Sequence, residues 1–93
     1  MKNFNEFGSC IVGVTVQAEI DIEDCAKLCR STAEVCKMHR DAKRHLDGIF
    51  DMAKFMFENE DSLDDCKIRR LVKFTYMELS CSVNNIIAKY NCK

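Results

Sequence analysis

The amino-acid sequence predicts a mainly α-helical domain built on an antiparallel hairpin of two long helices. There is no proline, and there are only three glycines, among the 93 residues, which favours long, uninterrupted helices. Apolar residues recur with helical spacing over residues 22–57 and 62–90, and a polar segment at 58–61 separates the two stretches. We therefore predict two helices with these bounds, within a single small domain spanning residues 1–93.

An N-terminal arm, residues 1–20, precedes the predicted hairpin. Over residues 11–20 every second side chain is apolar, Val12, Val14 and Val16 among them. This alternation places the apolar side chains on one face of a strand, and the β-branched content agrees. We therefore predict a short β-strand or extended arm. Since no other segment offers a convincing strand partner, its open edge favours pairing with a second copy or with another protein.

The first predicted helix begins near Ile22, where the acidic residues Glu23 and Asp24 suit the positive end of a helix dipole. Gly48 follows three basic residues and is a possible C-terminal cap that would break the helix. We favour a continuous helix through this glycine. Residues along its length share one apolar stripe: Ile22, Cys29, Cys36, Phe50 and Phe57.

The second predicted helix begins at Ser62, with Asp65 three residues later in a capping pattern. Apolar residues occupy two of its faces, one through Leu71 and Leu79 and the other through Phe74 and Met77. Two helices alone cannot cover both faces, so a third layer is required. Either the N-terminal segment or a second protomer provides it, and we predict completion by oligomerisation. The predicted core is Val14, Val16, Leu28, Leu46, Phe50, Leu71, Leu79, Val83 and Ile86.

The seven cysteines suggest a disulfide framework. Cys25 and Cys36 are separated by the same eleven residues as Cys81 and Cys92, which is nearly three helical turns. A chain folded back near Asn59 would bring Cys25 opposite Cys92 and Cys36 opposite Cys81. Two disulfides, Cys25–Cys92 and Cys36–Cys81, are therefore feasible, although an odd cysteine count suits a purely structural set poorly.

The same cysteines suggest a metal site as an alternative. Cys25, Cys29, Cys36 and His39 share one face of the predicted helix. Cysteines four residues apart can bind one soft ion such as Cu(I) or Zn(II). The two pairs are about 10 Å apart along the axis, too far for one tetrahedral zinc. We therefore predict no cofactor, with copper or zinc (Cu or Zn) as the alternative, and expect most cysteines to be reduced and buried.

A methionine- and phenylalanine-rich segment near the predicted hairpin tip indicates either core packing or an adaptable binding surface. Together with the apolar face of the arm, it forms the predicted interaction surface: Phe50, Met52, Phe55, Met56, Phe57, Val12, Val14 and Val16.

Several functions are disfavoured by the composition. The net charge is −1, whereas a nucleic-acid-binding domain is usually basic, so we expect no nucleic acid. No apolar stretch approaches the roughly 20 residues of a transmembrane helix. The sequence has no glycine-rich phosphate loop, and the Cys36–His39 pair lacks a third catalytic group. We therefore expect no enzymatic activity.

The leading functional prediction is a small, non-enzymatic protein-interaction module in the cytoplasm. It would act as a regulator, inhibitor or adaptor, with itself and another protein as partners. If residues 1–18 were a signal peptide, the alternative is a secreted, disulfide-stapled helical effector or toxin-like protein. A Cys-rich helical bundle that binds copper or zinc is the second alternative.

Overall fold

The computed structural model describes the backbone of residues 4–56 and 65–93, and the side chains of residues 4–53 and 66–93. The described residues are helical except for the connection at residues 30–31 and the C-terminal residues 90–93, and they contain no strand. The predicted mainly α-helical character is therefore confirmed. The described residues form three α-helices that pack against one another: α1 (Phe4–Cys29), α2 (Thr32–Met56) and α3 (Asp65–Lys89).

The segment predicted as a strand or extended arm, residues 11–20, lies inside α1, so the strand prediction is wrong. The residues that α1 buries follow helical spacing, and the hydroxyl of Thr15 donates a 2.8 Å hydrogen bond to the carbonyl of Ile11. A helix satisfies the backbone polar groups of this segment without a strand partner. Packing of its apolar side overrides the weak preference of valine and isoleucine for strands. The buried residues are Phe7, Ile11, Thr15, Ile22 and Ala26.

The long helix predicted over residues 22–57 is interrupted after Cys29. Arg30 adopts a left-handed backbone conformation, with a φ of 47°, and its N–H still bonds to the carbonyl of Ala26 at 3.0 Å. The next helix begins with a cap, since the hydroxyl of Ser31 accepts a 3.3 Å hydrogen bond from the N–H of Glu34. The chain turns back at this point, and α2 then continues through Gly48 to Met56.

Helices α2 and α3 are antiparallel. The rings of Phe50 and Tyr76 meet edge to face with centroids 6.1 Å apart, and the ammonium of Lys43 lies 5.3 Å from the Tyr76 ring centre. The Tyr76 hydroxyl also donates a hydrogen bond to the carboxylate of Asp47. Helix α3 ends at Lys89, one residue before the predicted end. The predicted loop at 58–61 and the predicted start at Ser62 lie outside the described residues.

Helix α1 packs against both α2 and α3 and covers one of the two apolar faces of α3, while Phe74 and Met77 on the other face remain exposed. Its Phe7 ring packs edge-on against Phe50 of α2, with centroids 6.0 Å apart. Leu46, Phe50 and other predicted residues are buried as expected, but Val16 and Leu28 are exposed by 47% and 85%. The predicted strand face had turned Val16 inward, whereas the helix turns it outward. The core consists of Phe7, Ile11, Ile22, Ala26, Val35, Leu46, Phe50, Ala53, Leu79, Val83 and Ile86.

Helices α1 and α3 run parallel, and their carboxyl ends are joined by polar contacts. The carboxylate of Glu23 accepts hydrogen bonds from the Lys89 ammonium at 3.0 Å and the Tyr90 hydroxyl at 2.8 Å. Asn91, with a φ of 52°, ends α3 in a Schellman-type turn. The N–H of Lys93 then donates a 3.0 Å hydrogen bond to the carbonyl of Arg30. The C-terminal segment is thereby fixed against the turn between α1 and α2.

Candidate functional site

The outer side of α1 carries an exposed apolar strip. Val12, Val16 and Ile20 are exposed by 59%, 47% and 48%. Their spacing of four residues places them one above another on a single face of the helix. Single exposed hydrophobic residues are normal on protein surfaces, whereas a contiguous strip indicates a contact surface.

Helix α3 also carries exposed hydrophobic residues. Leu71 lines a groove against α1 that also contains Val12, and Phe74 follows Leu71 by three residues on the same side of α3. Phe74 and Met77 are exposed by 66% and 54%. We call the combined surface the apolar face, consisting of Val12, Val16, Ile20, Phe74 and Met77.

A carboxylate with incomplete hydrogen bonding lies within this surface. Glu19 lines the α1–α3 groove beside Val16 and Ile20, and its Oε1 atom is buried without a hydrogen-bond partner among the described residues. Burial raises the pKa of Glu19, the nearby charge of Glu78 raises it further, and a hydrogen bond with Ser82 partly offsets both effects.

A second groove separates α1 from α2 on the opposite side of α1. Its volume is about 430 Å³, and its polar rim includes Gln17, whose amide donates a 3.0 Å hydrogen bond to Asp21. Val14 lines this groove rather than the apolar face. The walls and rim are formed by Val14, Gln17, Ala18, Asp21, Ile22, Met38, Asp41, Ala42 and His45.

The structure redistributes the predicted interaction surface. Val12 and Val16 are exposed together on α1, whereas Val14 points to the other side of α1 because a helix does not alternate faces as a strand does. Phe50 is buried in the core, while Met52 is 65% exposed. The side chains of Phe55, Met56 and Phe57 lie outside the described residues.

Ile20, Phe74 and Met77 were not included in the predicted surface. Two sequence signals point to them: the four-residue spacing from Val12 to Ile20, and the second apolar face of the last helix.

Cysteines from two parts of the chain meet where the carboxyl ends of α1 and α3 lie together. Cys25 and Cys29 are one helical turn apart on α1. Cys92 is half-buried and packs against the hydrophobic core. Burial raises the pKa of the Cys25 thiol, and Cys29, Glu34 and Cys92 raise it further. We call Cys25, Cys29 and Cys92 the thiol cluster.

Neither predicted disulfide is formed, since Cys25, Cys92, Cys36 and Cys81 are free thiols. The Tyr76–Asp47 contact sets the register of α2 against α3 and places Cys36 level with about residue 87 of α3. That position is about six residues, or ~9 Å, beyond Cys81. Cys25 and Cys92 do approach each other, but because α1 and α3 are parallel rather than through the predicted hairpin.

The predicted metal ligands are separated into two groups. Cys25 and Cys29 lie on α1, whereas Cys36 and His39 lie on α2, beyond the turn at Arg30 that interrupts the predicted helix. Burial lowers the pKa of His39, and the charge of Lys43 lowers it further. Among the described residues, no three His, Cys, Asp or Glu side chains stand at metal-binding distance. The four-residue set is therefore not assembled.

The described helices form a class of bundle in which α1 and α3 run parallel and α2 runs antiparallel to both. The bundle has an exposed apolar face and a cysteine-rich end. None of the described helices combines the length and hydrophobicity needed to cross a membrane. The chain matches no protein-family model, and comparisons with curated proteins and with solved structures find no similar protein.

Proposed function

We propose that this chain is a non-enzymatic protein-interaction module that acts as a homodimer joined through its apolar face. The observation that supports the proposal is the exposure of Val12, Val16 and Ile20 on one face of α1 and of Phe74 and Met77 on α3. Burying such a surface yields roughly 25 cal/mol for each Å² of apolar area removed from water.

The dimensions of this face suit a dimer interface. Helix α1 has 26 residues and is therefore about 39 Å long. Neighbouring helix axes lie about 8–10 Å apart, so the side of the bundle formed by α1 and α3 measures roughly 40 by 20 Å. The resulting area, about 800 Å², includes the polar residues around the apolar face and matches what each partner contributes to a standard stable interface.

The order of residues along α1 suits an antiparallel two-fold arrangement. If Val16 lies on the two-fold axis, Val12 of one copy meets Ile20 of the other and the two Val16 side chains meet each other. Each apolar residue of the strip then packs against an apolar residue of the partner. Towards the ends of this interface Asn5 faces Lys27, so like charges do not meet there. Isologous pairing of this kind is the commonest form of oligomer symmetry.

Gly13 supports the same arrangement. It lies in the exposed part of α1 next to Val12, and none of the described residues comes within 4 Å of the position that a Cβ atom would occupy. Glycine inside a helix costs about 1 kcal/mol relative to alanine, yet intramolecular packing does not require it here. Close approach of a second helix backbone provides a reason for the glycine.

We further propose a cytoplasmic setting, because cysteines stay reduced there. The dimer would act on another protein as a regulator, inhibitor or adaptor.

The proposal is tested by light scattering coupled to size-exclusion chromatography at increasing protein concentration. Wild-type protein is expected to be dimeric, and Val16→Glu, which places a charge at the centre of the face, is expected to be monomeric. Leu28→Glu is the matched control, since Leu28 is an 85% exposed residue of the same helix outside the apolar face. A monomeric wild type, or dimerisation that survives Val16→Glu, would contradict the proposal.

A further inference from the structure

We propose that the groove between α1 and α2 binds a primary alkylammonium ion, a small molecule with an unbranched apolar chain and one ammonium group. The groove lies on the side of α1 opposite the apolar face, so this inference is independent of the proposed dimer.

The groove exists because small side chains face each other at its centre. Ala18 of α1 and Ala42 of α2 both line it. Ala18 lies twelve residues before Arg30, where the chain turns back, and Ala42 lies twelve residues after it, so the two alanines stand at the same height on the antiparallel helices. Their methyl groups leave open the space that larger side chains would fill. Larger residues one turn away flank each alanine: Val14 and Ile22 on α1, Met38 and His45 on α2.

The dimensions of the groove suit a short, linear ligand. Its volume of about 430 Å³ lies within the usual range of small-molecule sites, roughly 300–1,000 Å³. At about 30 Å³ for each water-sized volume, it accommodates a ligand of about ten non-hydrogen atoms. From Val14 to Ile22 the wall formed by α1 is about 12 Å long. An extended alkyl chain of about eight carbons with a head group matches both the length and the volume.

The walls of the groove are apolar and only partly covered. Ile22 is fully buried, whereas Val14, Ala18, Met38 and Ala42 are half-buried and pack at the margin of the hydrophobic core. An alkyl chain lying on these side chains removes apolar surface of both molecules from water, and this burial supplies most of the affinity.

Two carboxylates on opposite walls determine the charge of the ligand. Asp21 of α1 and Asp41 of α2 both line the groove. They lie nine residues before and eleven residues after Arg30, so their heights along the helices differ by only about 3 Å. The Gln17 amide donates a 3.0 Å hydrogen bond to one oxygen of Asp21, which orients the carboxylate and leaves its second oxygen available. An ammonium group at this height meets negative charge from both walls.

The protein itself does not neutralise these two charges. Lys37 and Arg44 lie one turn to either side of Asp41 on α2, yet among the described residues no lysine, arginine or histidine forms an ion pair with Asp41 or Asp21. The groove is lined by no lysine or arginine, and His45 lies towards its other end, beside Val14. Charge complementarity therefore selects a cationic head group over a neutral or anionic one.

The test is isothermal titration calorimetry at pH 7 of the reduced, full-length protein with three probes of equal chain length: n-octylamine, 1-octanol and sodium octanoate. We expect n-octylamine to bind at one site per chain with a Kd of about 1 mM or lower, a modest affinity for its size. It should bind about 5- to 30-fold more tightly than 1-octanol, the range that two solvent-exposed charge pairs supply. Octanoate should bind more weakly than 1-octanol, because both carboxylates repel it.

Two double variants separate the groove carboxylates from the net charge. Asp21→Asn/Asp41→Asn should bring the affinities for n-octylamine and 1-octanol to within about twofold of each other while leaving that for 1-octanol almost unchanged. Asp24→Asn/Asp51→Asn is the matched control, since it removes one exposed carboxylate from each of the same two helices outside the groove. It should keep the wild-type preference for n-octylamine.

A third variant, Ala42→Leu, fills the centre of the groove and should weaken binding of n-octylamine and 1-octanol at least about tenfold. Circular dichroism checks its fold, and the asparagine variants test the proposal even if this one fails to fold. Absence of n-octylamine binding, equal affinity for n-octylamine and octanoate, or an unchanged preference in Asp21→Asn/Asp41→Asn would overturn the proposal.

Amide spectra recorded by NMR locate the bound probe. In the proposed site, n-octylamine should shift the signals of residues 38–45 on α2. Shifts at Phe74 and Met77 of α3 without shifts at 38–45 would place the probe on the apolar face and overturn the proposal. Light scattering on the same samples reports dimerisation separately, so failure of the groove site and failure of the dimer are distinguishable.

Discussion

The hydroxyl of Tyr90 donates a 2.8 Å hydrogen bond to the carboxylate of Glu23. The two residues are 67 positions apart in the chain, and their contact joins the carboxyl end of α3 to α1. Lys89 reaches the same carboxylate oxygen at 3.0 Å, while its ammonium also lies 5.2 Å from the Tyr90 ring centre. This group of three side chains holds the C-terminal segment, and hence Cys92, beside the last turns of α1.

We expect Glu23→Gln to lower the melting temperature at neutral pH, and the difference from wild type to disappear in acid. Hydrogen bonds from Tyr90 and then Lys89 lower the pKa of Glu23 below its ordinary value of 4.5. A carboxylate with a lowered pKa in the folded state stabilises the protein above its ordinary pKa, and this contribution is lost as pH falls through the lowered value. Thermal unfolding between pH 7 and pH 3 measures the difference.

The control for this measurement is Asp24→Asn, at an exposed neighbouring carboxylate. It should change the melting temperature less than Glu23→Gln does at pH 7. A Glu23→Gln effect that is constant from pH 7 to pH 3 would show that the loss is not electrostatic.

Leu79→Ala should destabilise the protein by about 2–5 kcal/mol, the usual cost of removing a large aliphatic side chain from a packed core. Leu79 is fully buried in the central cluster, so its removal leaves a cavity that neighbouring helices can only partly fill. Urea unfolding followed by circular dichroism provides the free energy of unfolding. Leu28→Ala is the matched control and should change it by no more than about 0.5 kcal/mol, because Leu28 is 85% exposed.

The apolar periodicity of the last two helices carried most of the correct fold information. Leu46 and Phe50 of α2 and Leu79 of α3 each lie on the apolar face of their own helix, and all three are buried. The ends of the described helices near residues 56 and 89 are also close to the predicted ends at residues 57 and 90. Such stripes are reliable because burial of one helix face depends on the local sequence and on little else.

The N-terminal third was predicted incorrectly because two periodicities coexist there. Val12, Val14 and Val16 alternate as in a strand, while Ile11, Thr15 and Ile22 are spaced as in a helix. Only packing against α2 and α3 decides between them, and that information is not local. The exposed face of α1, and with it most of the apolar face, could not be located until this choice was made.

The sequence does contain a local signal for the turn after Cys29, but the prediction followed the apolar stripe that continues across it. Ser31, Thr32, Ala33 and Glu34 form the serine–x–x–glutamate pattern of a helix start. The matched cysteine spacing placed Cys25 opposite Cys92, but through an antiparallel hairpin. In the structure the two residues approach each other because α1 and α3 are parallel, an arrangement that cysteine spacing alone does not predict.

Ser31→Ala should lower the free energy of unfolding by about 1 kcal/mol, because it removes the side-chain oxygen that accepts the N–H of Glu34. Ser31→Asp keeps a capping oxygen and should retain most of the stability. Urea unfolding of the two variants measures both free energies of unfolding. Equal losses in both would show that the hydroxyl is needed for something other than capping.

Glu19→Gln should raise the melting temperature at neutral pH and leave it unchanged in acid. The pKa of Glu19 is raised mainly by burial and next by Glu78, so the folded chain prefers the protonated carboxyl. Stability from this preference is present below the ordinary pKa of 4.5 and is lost as pH rises through the raised value. Glutamine remains neutral and avoids that loss.

Thermal unfolding at several pH values tests this prediction, with Asp51→Asn, which replaces an exposed carboxylate on α2, as the control. A lower melting temperature for Glu19→Gln at pH 7 would mean that the charged carboxylate stabilises the α1–α3 contact instead.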